Sequence, residues 1–218
     1  HWLKNGIVFF PVVFALRMGD AHAWLCAGLT ALAFSLMSSC VYIINDIFDR
    51  NADMVHPTKR NRPIAAGRIS VPLALAGALA LLIAAGCIAS SVRPAVLVLL
   101  LAYLVLLLSY SAVLKHKMII DVMCIAGGFV LRATAGAAAI SVEVSTWLFV
   151  CTFTICLFMG FCKRRNEVVT LASAPNPQHH RLTLAAYTPE LLTHLITLSA
   201  SIAVVAYLLY SQSPRTVE

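Results

Sequence analysis

The sequence predicts an all-α, polytopic membrane helical bundle, and three observations carry that prediction. Of the 218 residues 61% are hydrophobic and 11% are charged, whereas about a quarter are charged in soluble globular chains. The mean hydropathy is +0.88. Apolar runs recur at the roughly 20-residue length that a hydrocarbon core of about 30 Å demands, and about seven can be marked along the chain. No linker separates them, so residues 1–218 read as a single transmembrane domain.

The first run covers about 6–18 and the second about 22–44, which delivers the chain into a polar stretch. The third (about 71–90) and fourth (about 94–112) are joined by the tight turn Ser91-Val92-Arg93-Pro94. The fifth covers about 119–140, the sixth about 145–162 and the seventh about 190–210. Gly77, Gly86, Gly127, Gly128, Gly136 and many alanines dot these runs, as expected where helices pack backbone to backbone in lipid. Cys26, Cys40, Cys87, Cys124, Cys151, Cys156 and Cys162 lie in or beside apolar runs without paired metal-ligand spacing. They read as small apolar packing residues, which excludes a zinc site or a disulfide framework. The chain opens on His1, its first run is too polar for a secretory signal, and Glu218 follows closely on a run, so the sequence reads as truncated at one or both ends.

Charge placement sets the topology. If the runs alternate across the membrane, one side receives Lys4, Arg50, Lys59, Arg60, Arg62, Arg68, Lys115, Lys117, Lys163, Arg164, Arg165 and Arg181, and the other only Arg17, Arg93 and Arg215. Lys and Arg are retained on the cytoplasmic side, which for a bacterial inner membrane protein places the polar stretch in the cytoplasm. The net charge of +7 then needs no nucleic acid: topology, anionic headgroups or a phosphorylated substrate accounts for it. A second long charged loop, Lys163 through Tyr187, follows four runs after the first and suggests two related halves facing each other.

The chemistry concentrates at Asn45-Asp46-Ile47-Phe48-Asp49-Arg50-Asn51-Ala52-Asp53 and in Lys59, Arg60, Arg62 and Arg68 beyond it, which together hold three of the nine acidic and five of the sixteen basic residues. On a helix continuing from the second run, Asn45, Asp46, Asp49 and Asp53 line one face. Carboxylates so close repel one another unless a cation lies among them. Oxygen ligands without His or Cys favour a hard ion, and Mg²⁺ is commonly held by one or two carboxylates plus water and substrate phosphates. Lys59, Arg60 and Arg62 would grip phosphate oxygens, Arg as a bidentate donor and Lys as a point charge. The plainer reading is a solvated, topology-setting loop in which Asp balances Lys and Arg. The combination of Asn-Asp-x-x-Asp-x-x-x-Asp with Pro57-Thr58-Lys59-Arg60-Asn61-Arg62-Pro63 favours a Mg²⁺-diphosphate site instead.

That stretch resembles the first signature of the UbiA-type intramembrane prenyltransferase superfamily, and the resemblance runs from His1-Trp2-Leu3-Lys4-Asn5 to the seventh run. It implies a UbiA-like bundle with nine spans in full, a Mg²⁺ cofactor, and diphosphate chemistry above a lipid-accessible bundle. The usual prenyl-diphosphate branch carries a second Asp-rich motif after the sixth span. Here that loop reads Lys163-Arg164-Arg165-Asn166-Glu167 with no Asp. With Tyr110-Ser111-x-x-Leu114-Lys115, Asp121 and Gly128-Phe129-x-x-Arg132-Ala133-x-Ala135-Gly136, the pattern is similar to the decaprenyl-phosphate phosphoribosyltransferase branch, whose product is the lipid precursor of arabinose donors for cell-wall glycans.

The resemblance implies an enzyme that transfers a phosphoribosyl group from phosphoribosyl diphosphate to a polyprenyl (decaprenyl) phosphate. Asp46, Asp49 and Asp53 would be catalytic as metal ligands with Asn45, and Lys4, Lys59, Arg60, Arg62, Tyr110, Lys115, Asp121, Lys163, Arg164 and Glu167 would contact substrates. Glu167 also has a plainer role, pairing with Lys163 four residues before it, and Lys4 and Lys115 serve equally well as interfacial anchors. Asp121 and Arg132 share a helical stripe but lie about 16 Å apart along the axis, so they do not pair. A charge facing lipid costs at least about 2.5–3.5 kcal/mol, which turns Arg132 inward, either to a polar cavity or to helix carbonyls, the second being favoured. His56, His116, His179 and His180 receive no chemistry. Two rival functions stand beside this one: prenyl transfer from a prenyl diphosphate to an aromatic or other acceptor, and a transporter or lipid flippase using Asp121 and Arg132. Transport calls for polar residues strung across several spans, and here they gather at one end. A homo-oligomer is left open.

Overall fold

The structure, a computed structural model, describes residues 2–143, 146–172 and 187–212, and among these there are helices and turns but no strand. A 3₁₀ helix, Trp2–Phe9, leads into α1 (Phe10–Phe14), followed by α2 (Ala21–Phe48), α3 (Arg50–Met54), α4 (Val71–Val92), α5 (Pro94–Ala112), α6 (Ile120–Ala139), α7 (Thr146–Ala172) and α8 (Pro189–Ser211). Short 3₁₀ turns occupy Lys59–Asn61 and Leu114–His116. The chain divides into two compact units, His1–Leu108 with Leu131–Val142, and Ser109–Val130 with Glu143–Glu218, so that α5 and α6 each run through both.

Local chemistry explains the helix ends. Asp20 caps α2 by accepting from the backbone N–H of His22 and Ala23 at 2.9 and 3.2 Å, which satisfies donors that have no partner inside the helix. Arg93 is extended, as the residue before a proline tends to be, and Pro94 opens α5, where its missing N–H costs nothing. Thr188 caps α8 through Leu191, with Pro189 in the first turn.

In the first unit α4 packs against α2, and the buried residues of α4 are alanines only: Ala74, Ala78, Ala85 and Ala89. Small side chains on one face let the two backbones approach, as in membrane bundles. The opposite side carries exposed Leu73, Leu75, Leu79 and Ile83, a surface suited to lipid. The core joins Val12, Phe34, Met37, Leu100 and Tyr103 to Ala135. Gly136 is fixed by this packing, because a Cβ there would lie 2.1 Å from the carbonyl oxygen of Val8. In the second unit α7 packs on α8, around Val122, Phe161, Tyr187 and Leu192.

The protein is an integral, multi-pass membrane protein of all-α architecture. Among the described residues five helices, α2, α4, α5, α6 and α8, are long and apolar enough to cross a membrane, beside about seven apolar runs in the sequence. The expected first span is the short apolar helix Trp2–Phe14, below the roughly 20 residues a crossing needs. The expected sixth is α7, whose apolar part ends at Cys162, after which the helix continues through Lys163, Arg164, Arg165 and Glu167. Arg181 and Arg215, counted in the charge asymmetry, and His179 and His180 lie outside the described residues.

Arg132 turns inward, as its charge requires. It is 7% exposed, its Nε donates to Asn5 Oδ1 at 2.6 Å, a terminal nitrogen donates to the Tyr103 hydroxyl, and its guanidinium carbon stands 4.5 Å from the Tyr103 ring centroid. Asn5 Nδ2 in turn donates to Ser35 Oγ at 2.7 Å, and Ser38 Oγ lies 3.0 Å from Tyr103 Oη. These partners are side chains on neighbouring elements, where the sequence favoured helix carbonyls. The network satisfies a buried charge that would otherwise be costly.

Candidate functional site

The polar residues form two clusters, one in each unit. The first grows from the end of α2. The helix expected to run unbroken through Asp53 stops at Phe48, and Asp49 (φ −85°, ψ 0°) is the hinge into α3. The hydrogen-bond register survives the break: Asp49 N–H donates to Asn45 O at 2.9 Å and Asp53 N–H to Asp49 O at 2.8 Å. Seven residues is about two helical turns, so Asp46 and Asp53 stay on one face.

Both turn to the same cation. Arg62 donates from one terminal nitrogen to Asp46 Oδ1 and to Asp53 Oδ2, each at 2.8 Å. The Asp53 side chain is 4% exposed, that of Asp46 28% and that of Arg62 37%. Beside them Asn45 Nδ2 donates to Asp49 Oδ2 at 3.0 Å. Lys59 and Arg60 stand exposed on the following 3₁₀ turn, which is held by His56 Nδ1 as it accepts from the N–H groups of Thr58 and Lys59 at 3.3 and 3.4 Å. Arg62 is extended ahead of Pro63, and this carries its side chain back to the carboxylates.

The donor set suits a hard cation. Two carboxylates already converge on one positively charged atom, and the ligands they offer are oxygens. Among the described residues no group of three or more His, Cys, Asp or Glu is disposed to hold a metal. An ion bound here would draw on Asp46 and Asp53, with water and substrate phosphate oxygens completing its shell, as Mg²⁺ does elsewhere. Arg50, on α3, was not singled out by the sequence reading. Its Nε is the one buried side-chain polar atom among the described residues that lacks a hydrogen-bond partner, a donor suited to an oxygen-rich ligand.

The second cluster sits where α6 begins and the charged part of α7 passes. Asp121, in the first turn of α6, accepts from Arg164 Nε at 2.8 Å and from Tyr187 Oη at 2.8 Å. Arg164 also donates to Glu167 Oε2 at 2.5 Å, and Lys163 Nζ lies 3.8 Å from Glu167 Oε1. Exposure rises along this chain of contacts, from 2% for the Asp121 side chain and 7% for Arg164 to 32% for Glu167 and 74% for Lys163. Burial pushes the Tyr187 phenol well above its ordinary pKa, and its bond to Asp121 acts the same way, so it remains a protonated donor. Tyr187 joined no list of sequence candidates, and the polar loop in which it lies gave no signal of its partners.

Of the other sequence candidates, Tyr110 stands near enough to Arg164 to act on it electrostatically, and Lys4 and Lys115 lie apart along the chain. Lys4 is exposed on the first 3₁₀ helix, in the first unit, whereas half-buried Tyr110, at the end of α5, and Lys115, on the 3₁₀ turn before α6, belong to the second. The structure thus gathers Asp46, Asp53 and Arg62, with Asn45 and Asp49 paired beside them and Lys59 acting on Asp46, and separately gathers Asp121, Lys163, Arg164 and Glu167 with Tyr110 near Arg164.

Known proteins resemble this chain in sequence and in fold. The decaprenyl-phosphate phosphoribosyltransferase of Mycobacterium tuberculosis is 32% identical over 215 residues, covering 97% of this chain and 70% of the relative. Its counterpart in Corynebacterium glutamicum is 35% identical, covering 96% and 64%. In fold, the chain superposes on a UbiA homologue from Archaeoglobus fulgidus bound to GPP and Mg²⁺ with a TM-score of 0.79 at 21% identity, covering 99% of this chain and 77% of that one. The sequence profile of the UbiA prenyltransferase family matches residues 7–215, and on that match, with the helical architecture and the carboxylate cluster behind it, the chain belongs to the UbiA prenyltransferase family.

Proposed function

We propose that this protein is a Mg²⁺-dependent phosphoribosyltransferase that moves a phosphoribosyl group from phosphoribosyl diphosphate to a polyprenyl phosphate on the cytoplasmic side of a bacterial inner membrane. The observation that carries this reading is the contrast between the clusters. In the first, two carboxylates converge on one cationic position, as a metal-held diphosphate requires. In the second, a buried Arg164 holds Asp121 and Glu167 from two different nitrogens, whereas the more exposed Arg62 offers a single nitrogen to both of its carboxylates and has room to turn away; Lys163 stands outlying and exposed. The relatives named as decaprenyl-phosphate phosphoribosyltransferases support a polyprenyl phosphate acceptor and a phosphoribosyl group as what is transferred.

In this mechanism Asp46 and Asp53 hold the ion, Asn45 orients Asp49 beside them, and Lys59, Arg60 and Arg62 take donor phosphate oxygens, Arg62 turning from the carboxylates to do so. The chemistry supplied by a bound Mg²⁺ is charge stabilisation on the departing diphosphate. The C1–O bond to diphosphate breaks, an oxygen of the lipid phosphate forms the new bond to C1, and diphosphate leaves with the electron pair. The attacking phosphate is already ionised near neutral pH, so the residues work by positioning and electrostatics without a strong general base. Lys163 meets the acceptor phosphate as a point charge.

The test is purified protein in nanodiscs supplied with labelled phosphoribosyl diphosphate and decaprenyl phosphate, with Mg²⁺ or with EDTA. Label should pass to lipid with Mg²⁺ and cease with EDTA. Consumption of a prenyl diphosphate in place of phosphoribosyl diphosphate would overturn the donor assignment, and solute movement in liposomes without any transfer would overturn the enzyme.

A further inference from the structure

We infer that Tyr187 is a positioning residue: its hydroxyl clamps the start of α6 to the second polar cluster and thereby sets where Lys163 and Glu167 present themselves to an acceptor phosphate. The inference rests on the proposed reaction for the identity of that phosphate, but the clamp itself is geometric. Tyr187 Oη accepts the backbone N–H of Ile119 at 2.7 Å and donates to Asp121 Oδ1 at 2.8 Å. It comes from a position 68 residues further along the chain than Ile119.

Ile119 explains why a clamp is needed. Its φ is +68°, a conformation that β-branched residues very rarely adopt and that persists only when surrounding contacts enforce it. Its carbonyl accepts from the N–H groups of Val122 and Met123, each at 3.0 Å, so this strained residue is the point from which α6 starts. The orphan N–H at that helix start goes to the phenol.

From there the contacts run outward without a gap. Asp121 uses one oxygen for Tyr187 and the other for Arg164 Nε, Arg164 reaches Glu167, and Glu167 reaches Lys163. A displacement at the buried end therefore reaches the exposed ammonium through Asp121, Arg164 and Glu167. Tyr187 is 3% exposed and its ring packs with Val122, Phe161 and Leu192, so Tyr187→Phe removes the oxygen and keeps the packing.

The experiment compares wild type, Tyr187→Phe, Arg164→Lys and the double variant in nanodiscs. It reads hydrogen exchange at the Ile119 amide, binding of inorganic phosphate, and KM against kcat for polyprenyl phosphate. Loss of one such hydrogen bond corresponds to about a 5- to 10-fold effect. Tyr187→Phe should speed Ile119 exchange and weaken both phosphate binding and KM by that order, with kcat within about 2-fold. The double variant should be no worse than the poorer single, because both act along one chain of contacts. Faster Ile119 exchange with unchanged phosphate affinity would reduce Tyr187 to a helix cap and overturn the inference, as would additive losses in the double variant or unchanged exchange. If phosphate binding weakens as expected while wild type turns over no phosphoribosyl diphosphate, the clamp stands and the reaction assignment falls.

Discussion

Replacing Asp53 with Asn removes one negative charge from the first cluster and keeps the size of the side chain, and its cost divides into two parts. Arg62 loses one of two carboxylates, each 2.8 Å from the same nitrogen. A fully buried pair broken in this way costs about 3–5 kcal/mol, and an exposed one about 0–1 kcal/mol. With Asp53 nearly buried, Arg62 37% exposed and Asp46 still in contact, the stability loss falls between these limits, at about 1–2 kcal/mol. The protein therefore folds. Catalysis suffers more, because charge stabilisation by a metal is worth several kcal/mol, and at about 1.4 kcal/mol per factor of ten turnover drops by about 10²- to 10³-fold. Thermal unfolding in one fixed detergent measures the first part. Binding of Mn²⁺ as a spectroscopic substitute, together with labelled transfer to lipid, measures the second. Turnover within about tenfold of wild type, or undiminished Mn²⁺ binding, would refute the reasoning. Asp46→Asn should match the catalytic loss at a smaller cost in stability, since Asp46 is the more exposed partner.

Arg62→Ala leaves Asp46 and Asp53 facing each other without their cation, so its melting temperature should rise with added Mg²⁺ by more than that of wild type, while turnover falls through the lost phosphate contact. Equal Mg²⁺ responses in the two proteins would argue against a shared cation position. Arg132→Met keeps the volume but strands Asn5 Oδ1 and leaves the Tyr103 hydroxyl with Ser38 alone of the two partners described, a loss of about 1–3 kcal/mol to be read by unfolding in a detergent series. Lys163→Ala should raise KM for the polyprenyl phosphate several-fold and leave stability unchanged, because that side chain is 74% exposed; an unchanged KM would make this part of α7 a topology signal only.

What could be read from the sequence tracks how far apart the partners lie along the chain. Asp46 and Asp53 share a face because seven residues make about two helical turns, and the spacing says so without a structure. The helical bundle follows from apolar runs for the same reason, since each run is its own signal. The apolar runs outnumber the long apolar helices among the described residues because apolarity marks burial as well as crossing. Trp2–Phe14 is apolar, yet it contributes Val8 and Val12 to a protein core.

Contacts between distant residues leave no such trace. Asp121 and Arg164 are 43 positions apart, Asp121 and Tyr187 66, and Asn5 and Arg132 127, and no period links them. For Arg132 the sequence supplies the cost of burying the charge, which fixes its direction but not its partners. For Arg164 a cation in a charged stretch reads as a substrate contact, and the spacing does not show that two of its donor nitrogens also point at Asp121 and Glu167 within the protein. The same geometry separates adjacent residues of one motif. Consecutive positions on a helix are about 100° apart, so Arg164 faces the packed side of α7 while Lys163 faces out, and in the proposed reaction it is therefore Lys163 that would meet a phosphate.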